Sequence, residues 1–482
     1  MKFFSRSKIV GLLPFCVVVM FWGARGNSES STGIPRKRLN WESMATRDTF
    51  DLYMRGQRVG RQLYRCRVDS GIGRIITDLE FTVIGGSSEM IVHEHREFDL
   101  RGDLTRAEQK LSGSGGTTLW KLDCSEPDSC RLTVSTAGIP HSRKIGTVTD
   151  HLRTEFLIQT AILNKSVEIG MVWRDTTFDL VSATPVVVQT ECIAVPGPEN
   201  PGRYVFLNRD SAIRRDERWE VDTLGRTLVQ EIASLYTARR TGVEGVNNAP
   251  TDKGSLKALA ELYSISMESA PRKNQKVLLR TSDGEQLSGS VHLFYRKEGD
   301  AYILKSPANQ CSKSVFSQFV DSLRIVSTPV MQSANDRIRN LAKELIDSVT
   351  DRCEKIRTIN RFVYEKIEKR NVATFSSALA TLEAGFGDCG EHAALLGALL
   401  RAAGIEAEIV YGLVYIAAKR GYLYHAWVQI SGNEPLFCDP ALGRFPAVEG
   451  YIPLVIDNAG EKLAELGALI DRVSIEHVEE HR

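Results

Sequence analysis

The chain has 482 residues, of which 42% are hydrophobic and 25% charged. That is ordinary globular composition in a chain too long for one core, so two or three domains are expected. Lysine and arginine number 61 against 60 aspartates and glutamates, and this balance gives no polyelectrolyte character that would direct the chain to nucleic acid or an anionic membrane surface.

Residues 1–26 carry an address. Lys2, Arg6 and Lys8 precede an apolar run from Ile9 to Trp22, and Gly23-Ala24-Arg25-Gly26 follows. A basic start, an apolar middle and small residues at −3 and −1 predict a signal peptide cleaved after Gly26. The run is short for a bilayer span, which needs ~20 apolar residues, and retention as an anchor is the alternative. Cys16 does not read as a lipidation site, because Pro14-Phe15 lacks the small residue expected before one. No later stretch is apolar for long enough to span a membrane. The mature chain is expected to be exported, periplasmic or extracellular, with no stable membrane span.

Export permits disulfides. Beyond Cys16 the cysteines are Cys66, Cys124, Cys130, Cys192, Cys311, Cys353, Cys389 and Cys438, and Cys124 and Cys130 are spaced to close a small loop. No Cys-x-x-Cys pair and no neighbouring histidine cluster stands among them, so no metal or other cofactor is expected.

Residues 27–48 read as a linker. From 49 to 240 the pattern is strand-like: residues 72–83, 90–98, 170–189, 202–208 and 219–232 are alternating or β-branched, with glycines between. This predicts one antiparallel β-rich domain, arranged as two similar halves around a curved sheet, with a helix at 151–163. His93 and His95 share a strand face, but without a third ligand they read as half-exposed strand surface. The sheet reads as a binding or packing platform, and a cell-envelope component is the class of ligand left open for it. A linker over 241–276 holds a short helix around 255–264. Residues 277–332 return to short strands, such as 290–295 and 301–304. They form either a small β module or an extension of the β-rich domain.

The period changes after Pro329. Ile338, Leu341, Ala342, Leu345 and Ile346 recur at helical spacing, and Asp351 with Glu354 opens a second amphipathic helix. The result is an α+β domain over 333–456, followed by an extension at 457–482.

Gly387-Asp388-Cys389-Gly390-Glu391-His392 opens a further helix. Asp388 as N-cap and Glu391 as its capping-box partner put Cys389 on the first turn. There the unpaired N–H groups and the helix dipole favour a thiolate. After one helix and one hairpin, His425 and Trp427 fall on one strand face, with Ala426 and Val428 on the other. Asp439 ends the antiparallel neighbour, within reach of the imidazole, and Cys438 points to the opposite face. Cysteine on a helix, histidine on a strand and aspartate on the next strand form a nucleophile, a base and an orienting group.

Residues 376–454 resemble the bacterial transglutaminase-like superfamily, which has a papain-like core. The shared pieces are Gly-Asp-Cys-x-Glu-His-Ala at the helix start, Leu400 to Ile405, His425-Ala426-Trp427 and Asp439-Pro440-Ala441-Leu442-Gly443. The leader helices at 335–368 resemble the family too, and the β-rich region resembles the front halves of exported members. The resemblance implies Cys389 as nucleophile, His425 as general base and acid, and Asp439 as its orienter. Asp388, Glu391, His392 and Trp427 have supporting places, Glu391 as cap and His392 as a packing group. Two departures stand out: Cys438 where an apolar residue is usual, and Val448-Glu449-Gly450-Tyr451 in place of the family's Asp-Ala-Thr-His-like segment. The implied activity is acyl transfer through a thioester on a peptide or protein substrate, hydrolytic rather than cross-linking. The alternatives are a protein-glutamine transglutaminase and a cell-envelope binding scaffold with an occluded catalytic-like fold.

Overall fold

The computed structural model describes residues 44–241 and 264–479, except 86–87, 114–115, 127, 137, 151, 212–215, 233–234, 268–269, 272–274, 282–293, 300, 306, 313–315, 317–325 and 371–375. The signal segment, most of the first linker, nearly all of the helix expected at 255–264 and most of the strand expected at 290–295 lie outside them. No helix among the described residues is long and apolar enough to cross a membrane.

The first half is one antiparallel sheet. Eight strands come first: β1 (Thr46–Met54), β2 (Gln57–Asp69), β3 (Arg74–Gly85), β4 (Ser88–Asp99), β5 (Leu104–Gly113), β6 (Gly116–Glu126), β7 (Ser129–Thr136) and β8 (Ile139–Ile145). Helix α1 (Arg153–Leu163) interrupts them. Then come β9 (Val172–Asp179), β10 (Thr184–Ala194), β11 (Arg203–Asp210), β12 (Asp216–Asp222), β13 (Thr227–Ile232) and β14 (Tyr236–Arg240). The spatial order is β8 to β1, then β14 back to β9. Two hairpin meanders thus join where Phe50 pairs with Arg240 and Leu52 with Ala238. The two halves expected from the sequence are one continuous sheet, closed at its middle by its first and last strands. His95 directs its ring nitrogens to Asp78 (2.7 Å) and Glu97 (3.5 Å). Cys124 and Cys130 are disulfide-bonded, as are Cys311 and Cys353.

The second half builds a mixed layer. Helices α2 (Asp336–Ile346), α3 (Arg352–Lys366) and α4 (Ala378–Ala384) pack on α5 (Cys389–Ala402), which packs on a five-stranded sheet, and a short parallel pair, β19 (Glu368–Lys369) with β20 (Phe386–Gly387), joins the end of α3 to the start of α5. The five-stranded sheet runs β15 (Ser264–Ser266), β22 (Gly421–Ile430), β21 (Ala407–Ile416), β24 (Tyr451–Ile456), with β23 (Leu436–Cys438) also on β22. Asn335 and Asp351 cap α2 and α3 with their side chains, which explains where both helices start. α5 is buried along nearly its whole length, and so it reads as an apolar run rather than an amphipathic stripe.

One expectation is corrected here, and one pair of alternatives is narrowed. Residues 264–266, assigned to a linker, form β15 against the histidine-bearing strand. Residues 275–304 are not an extension of the large sheet. Their strands β16 (Gln275–Thr281), β17 (Tyr295–Glu298) and β18 (Ala301–Leu304) form a separate sheet with β25 (Val473–Glu479), from the C-terminal extension. The strand at 301–304 is legible in the sequence, but the sheet it joins is not, because β16 pairs with β25 across nearly 200 residues.

Candidate active site

The nucleophile candidate is placed by its cap. Asp388 accepts the Gly390 N–H at 2.7 Å, and Glu391 accepts the Asp388 N–H at 3.0 Å, the reciprocal box the sequence predicts. Glu391 also accepts the Ser376 N–H at 3.0 Å, tying the approach to α4 to the start of α5. The turn is tight. A Cβ at position 387 would lie 2.4 Å from the Glu391 Cβ, so only glycine fits before the cap. His392 sends Nδ1 to the Asp388 carbonyl (2.6 Å) and Nε2 to the Ile367 carbonyl (3.3 Å). A neutral ring can donate to only one of these carbonyls, and the closer is that of Asp388, so the ring lies between the start of α5 and the end of α3. Burial lowers its pKa.

The base candidate sits where the sheet has a gap. β21 occupies one edge of β22 along its whole length. The other edge is shared by β15 at 421–423 and β23 at 428–430. Between them residues 424–427, which include His425, have no strand partner on that side among the described residues. Cys389 enters this gap: a backbone hydrogen bond joins its thiol to Ala426, the next residue after His425. Gly397 of α5 approaches Ile409, which pairs with Val428. The helix therefore covers the Ala426/Val428 face, and His425 and Trp427 lie on the other.

Asp439 follows β23, whose Cys438 pairs with Val428, so alternation turns Asp439 toward the His425 face and Cys438 toward the helices. His425 Nε2 lies 2.8 Å from Asp439 Oδ2, and both side chains are fully buried. The same oxygen accepts the Tyr451 hydroxyl at 2.6 Å, and Oδ1 accepts the Leu442 N–H at 2.9 Å. Burial alone would raise the Asp439 carboxyl. Its histidine, its tyrosine and the Leu442 N–H outweigh burial and hold it below the usual carboxylate range. With Nε2 engaged, His425 keeps Nδ1 buried and without a hydrogen-bond partner.

Trp427 stacks on His425 at 6.3 Å and packs edge-on against Phe437 and Tyr451. Gly412, opposite His425, makes room for it. A Cβ there would come within 2.7 Å of the indole and 2.1 Å of the Ile452 carbonyl.

The thiol departs from expectation. The helix start favours a thiolate, yet Cys389 is 2% exposed. Burial and the nearby carboxylates of Asp388, Glu391 and Asp439 push its pKa well up, against the Ala426 hydrogen bond. Burial and Glu391 likewise raise Asp388 well above the carboxylate range. Burial thus opposes the thiolate that the helix start favours.

Tyr451 is the site residue that sequence reading missed. It appears there only as part of a departure from the family pattern. It opens a fully buried strand, Tyr-Ile-Pro-Leu-Val-Ile, where a lone hydroxyl needs a partner, and that is the signal that points to it. Tyr451→Phe removes one charge-assisted hydrogen bond from Asp439. Such a bond contributes about 1.5–3 kcal/mol, so turnover should fall roughly 10- to 100-fold. Because Tyr451 lowers the Asp439 pKa, its loss should shift the acid limb of the activity profile to higher pH, read from a pH–rate series on both proteins. An unmoved limb would deny Tyr451 this role.

Residues 339–435 match the transglutaminase-like superfamily. Solved structures similar to the chain include a candidate cysteine protease from Cytophaga hutchinsonii, at 15% identity and TM-score 0.28, covering 43% of this chain and 82% of that one. A β-barrel-like protein of a domain of unknown function from Brucella abortus is similar at 11% identity and TM-score 0.31, covering 42% and 97%. A candidate protease from Parabacteroides distasonis is similar at 11% identity and TM-score 0.20, covering 73% and 69%. No curated protein matches the chain. Its C-terminal region carries a transglutaminase-like superfamily domain, preceded by an antiparallel β-rich region.

Proposed function

We propose that the chain is an exported cysteine-nucleophile acyl-transfer enzyme that hydrolyses peptide or glutamine-type amide bonds. The observation that carries this reading is the buried His425–Asp439 pair at 2.8 Å. Its imidazole keeps Nδ1 unpartnered beside the strand position that meets the Cys389 thiol.

The step begins with proton transfer from Sγ to Nδ1, which offsets the burial that otherwise keeps the thiol neutral. The thiolate attacks the amide carbonyl. His425 then returns the proton to the departing amine, leaving a thioester on Cys389. Water, deprotonated by His425, releases the acid and frees the thiol. Asp439 holds the proton on Nε2 and balances the imidazolium. Asp388 takes the Gly390 N–H, so the N–H we assign to the developing oxyanion is that of Cys389 itself.

The test is a peptide-library digest read by mass spectrometry, with and without a labelled primary amine. Hydrolysis products should dominate in both. Amine incorporation as the main product would make the chain a transglutaminase instead. One observation favours the scaffold reading, namely that Cys389 and His425 are each 2% exposed. No product from any library, with the fold intact, would favour that reading.

Export draws support from the basic–apolar–small pattern of residues 1–26 and from the two disulfides, which persist in oxidising compartments. N-terminal sequencing of the mature protein should begin near Asn27. Intact Met1 in a cytosolic fraction would reject export.

A further inference from the structure

A second polar site lies in the β-rich region, between α1 and the sheet. Alternation along β9 to β13 brings Asp175, Thr190, Asn208, Glu217, Trp219 and Gln230 to one face. With Thr154, Glu155 and Ile158 of α1 they line a recess of about 40 Å³. Glu217 fixes the orientation of two amides. It accepts from Asn208 Nδ2 at 3.3 Å and from Gln230 Nε2. Because a carboxylate only accepts, each amide must turn its nitrogen to it. Asn208 Oδ1 and Gln230 Oε1 are then left buried with no partner, as is Asp175 Oδ2. Asp175 is 4% exposed and Gln230 7%. Three orphaned acceptors on residues of one recess call for a ligand that donates.

The recess adjoins a larger cavity of about 290 Å³, with which it shares Glu155, Ile158 and Trp219. Phe50, Leu163 and Leu224 give that cavity apolar walls. Arg226, also in its lining, is committed to Asp222 at 2.7 Å. The titratable side chains lining the recess are all acidic: Asp175 on β9, Glu155 on α1 and Glu217 on β12. Asp150 nearby is ion-paired with Arg96. No group of three or more metal-binding side chains occurs among the described residues.

We propose that this recess binds a small primary alkylammonium ion. Its three N–H donors meet the oxygens of Asp175, Asn208 and Gln230, and its alkyl chain lies along Ile158 and Trp219. The head is the size of a water molecule and fits the recess, and the indole face adds an attraction for cations. A planar guanidinium with five donors is too large. In the unliganded protein burial pushes Asp175 up to about 9, with Asp150 and Glu155 adding to it and the nearby Thr154 hydroxyl and the Thr176 N–H, which bonds Oδ1, opposing. An arriving cation restores the carboxylate, so binding near neutral pH expels a proton.

The test is calorimetric titration of the mature chain with n-butylammonium chloride, run in two buffers of different ionisation enthalpy. One saturable site with proton release is expected. Tetramethylammonium, which has no N–H donor, should bind at least about tenfold more weakly. N-acetyl-lysine methylamide separates a free amine from a lysyl side chain as the source. Asp175→Asn should weaken butylammonium at least about tenfold, and Asn208→Ala is the second variant if the first fails to fold. Between its ordinary pKa and about 9, Asp175 holds a proton in the folded state that the unfolded chain releases. Wild-type stability therefore falls as pH rises through that window, and Asp175→Asn should melt higher than wild type at pH 8. No saturable heat, equal binding of tetramethylammonium, or unchanged affinity in the variants would overturn the proposal. None of these readouts depends on catalysis at Cys389.

Discussion

Cys389→Ala is expected to abolish turnover with the fold retained by circular dichroism, and with a modest loss of stability from the buried thiol and its Ala426 hydrogen bond. The side chain makes no part of the capping box, which runs between Asp388 and Glu391, and alanine is a good residue for the first turn of a helix. The loss is chemical: the acyl intermediate is carried on the Cys389 sulfur. His425→Ala should be almost as damaging, because without Nδ1 the buried thiol has no acceptor for its proton. The two act as one unit, so each single variant should fall by at least about 10⁴-fold and the double variant no further. Steady-state rates on the four proteins read this directly. Cys438→Ala is the control. It lies beside Asp439 on the helix-facing side of the sheet and is fully buried, so it should change stability more than rate. Loss of turnover in Cys438→Ala with activity kept in Cys389→Ala would mean that the nucleophile has been misidentified.

Asp439→Asn should cost about 10²–10⁴-fold in rate, through the histidine tautomer. The wild-type carboxylate accepts from Leu442 through Oδ1 and from both His425 and Tyr451 through Oδ2. An amide whose oxygen stays on Leu442 presents its NH₂ to two donors. His425 can meet that group only by carrying its proton on Nδ1, where the Cys389 proton must go. Rotating the amide instead leaves the Leu442 N–H unpaired. The pH dependence of stability should change as well. A carboxyl held below its unfolded pKa stabilises the fold above that unfolded value, and the contribution is lost as pH falls through the folded pKa. The variant should lose part of the wild-type stability at neutral pH, and the difference should shrink as pH falls below the ordinary carboxylate value. Melting curves across this range check the sign. A larger difference in acid than at neutrality would contradict it.

Much of the site was legible because its pieces are local. The Gly-Asp-Cys-x-Glu run fixes a helix start through sterics and two hydrogen bonds within four residues, so Cys389 needs no tertiary information. Strand alternation places His425 and Trp427 on one face without knowledge of the partner strands. Tyr451 was different. Its strand pairs with β21 rather than β22, and its reach to Asp439 depends on ring length across the sheet, which no pattern within residues 448–456 encodes. The thiol environment was also hidden. A helix N-terminus favours a thiolate, but the opposing term is burial, set by everything packed around Cys389. In the β-rich region the strands could be read but not their closure, since β1 and β14 pair across nearly 200 residues. The inner recess was equally invisible, because Asp175, Asn208 and Gln230 come from three strands.

The central claim is that His425 activates Cys389. The most direct measurement is the rate of iodoacetamide modification of each cysteine outside the two disulfides in the native protein near neutral pH, mapped by peptide mass spectrometry. Cys66, Cys192, Cys389 and Cys438 are all buried, so burial alone does not choose between them. Cys389 should react first, and His425→Ala should slow it by at least about tenfold while leaving the other three as they were. A Cys389 that reacts no faster than its three buried counterparts, or one indifferent to the loss of His425, would contradict the account.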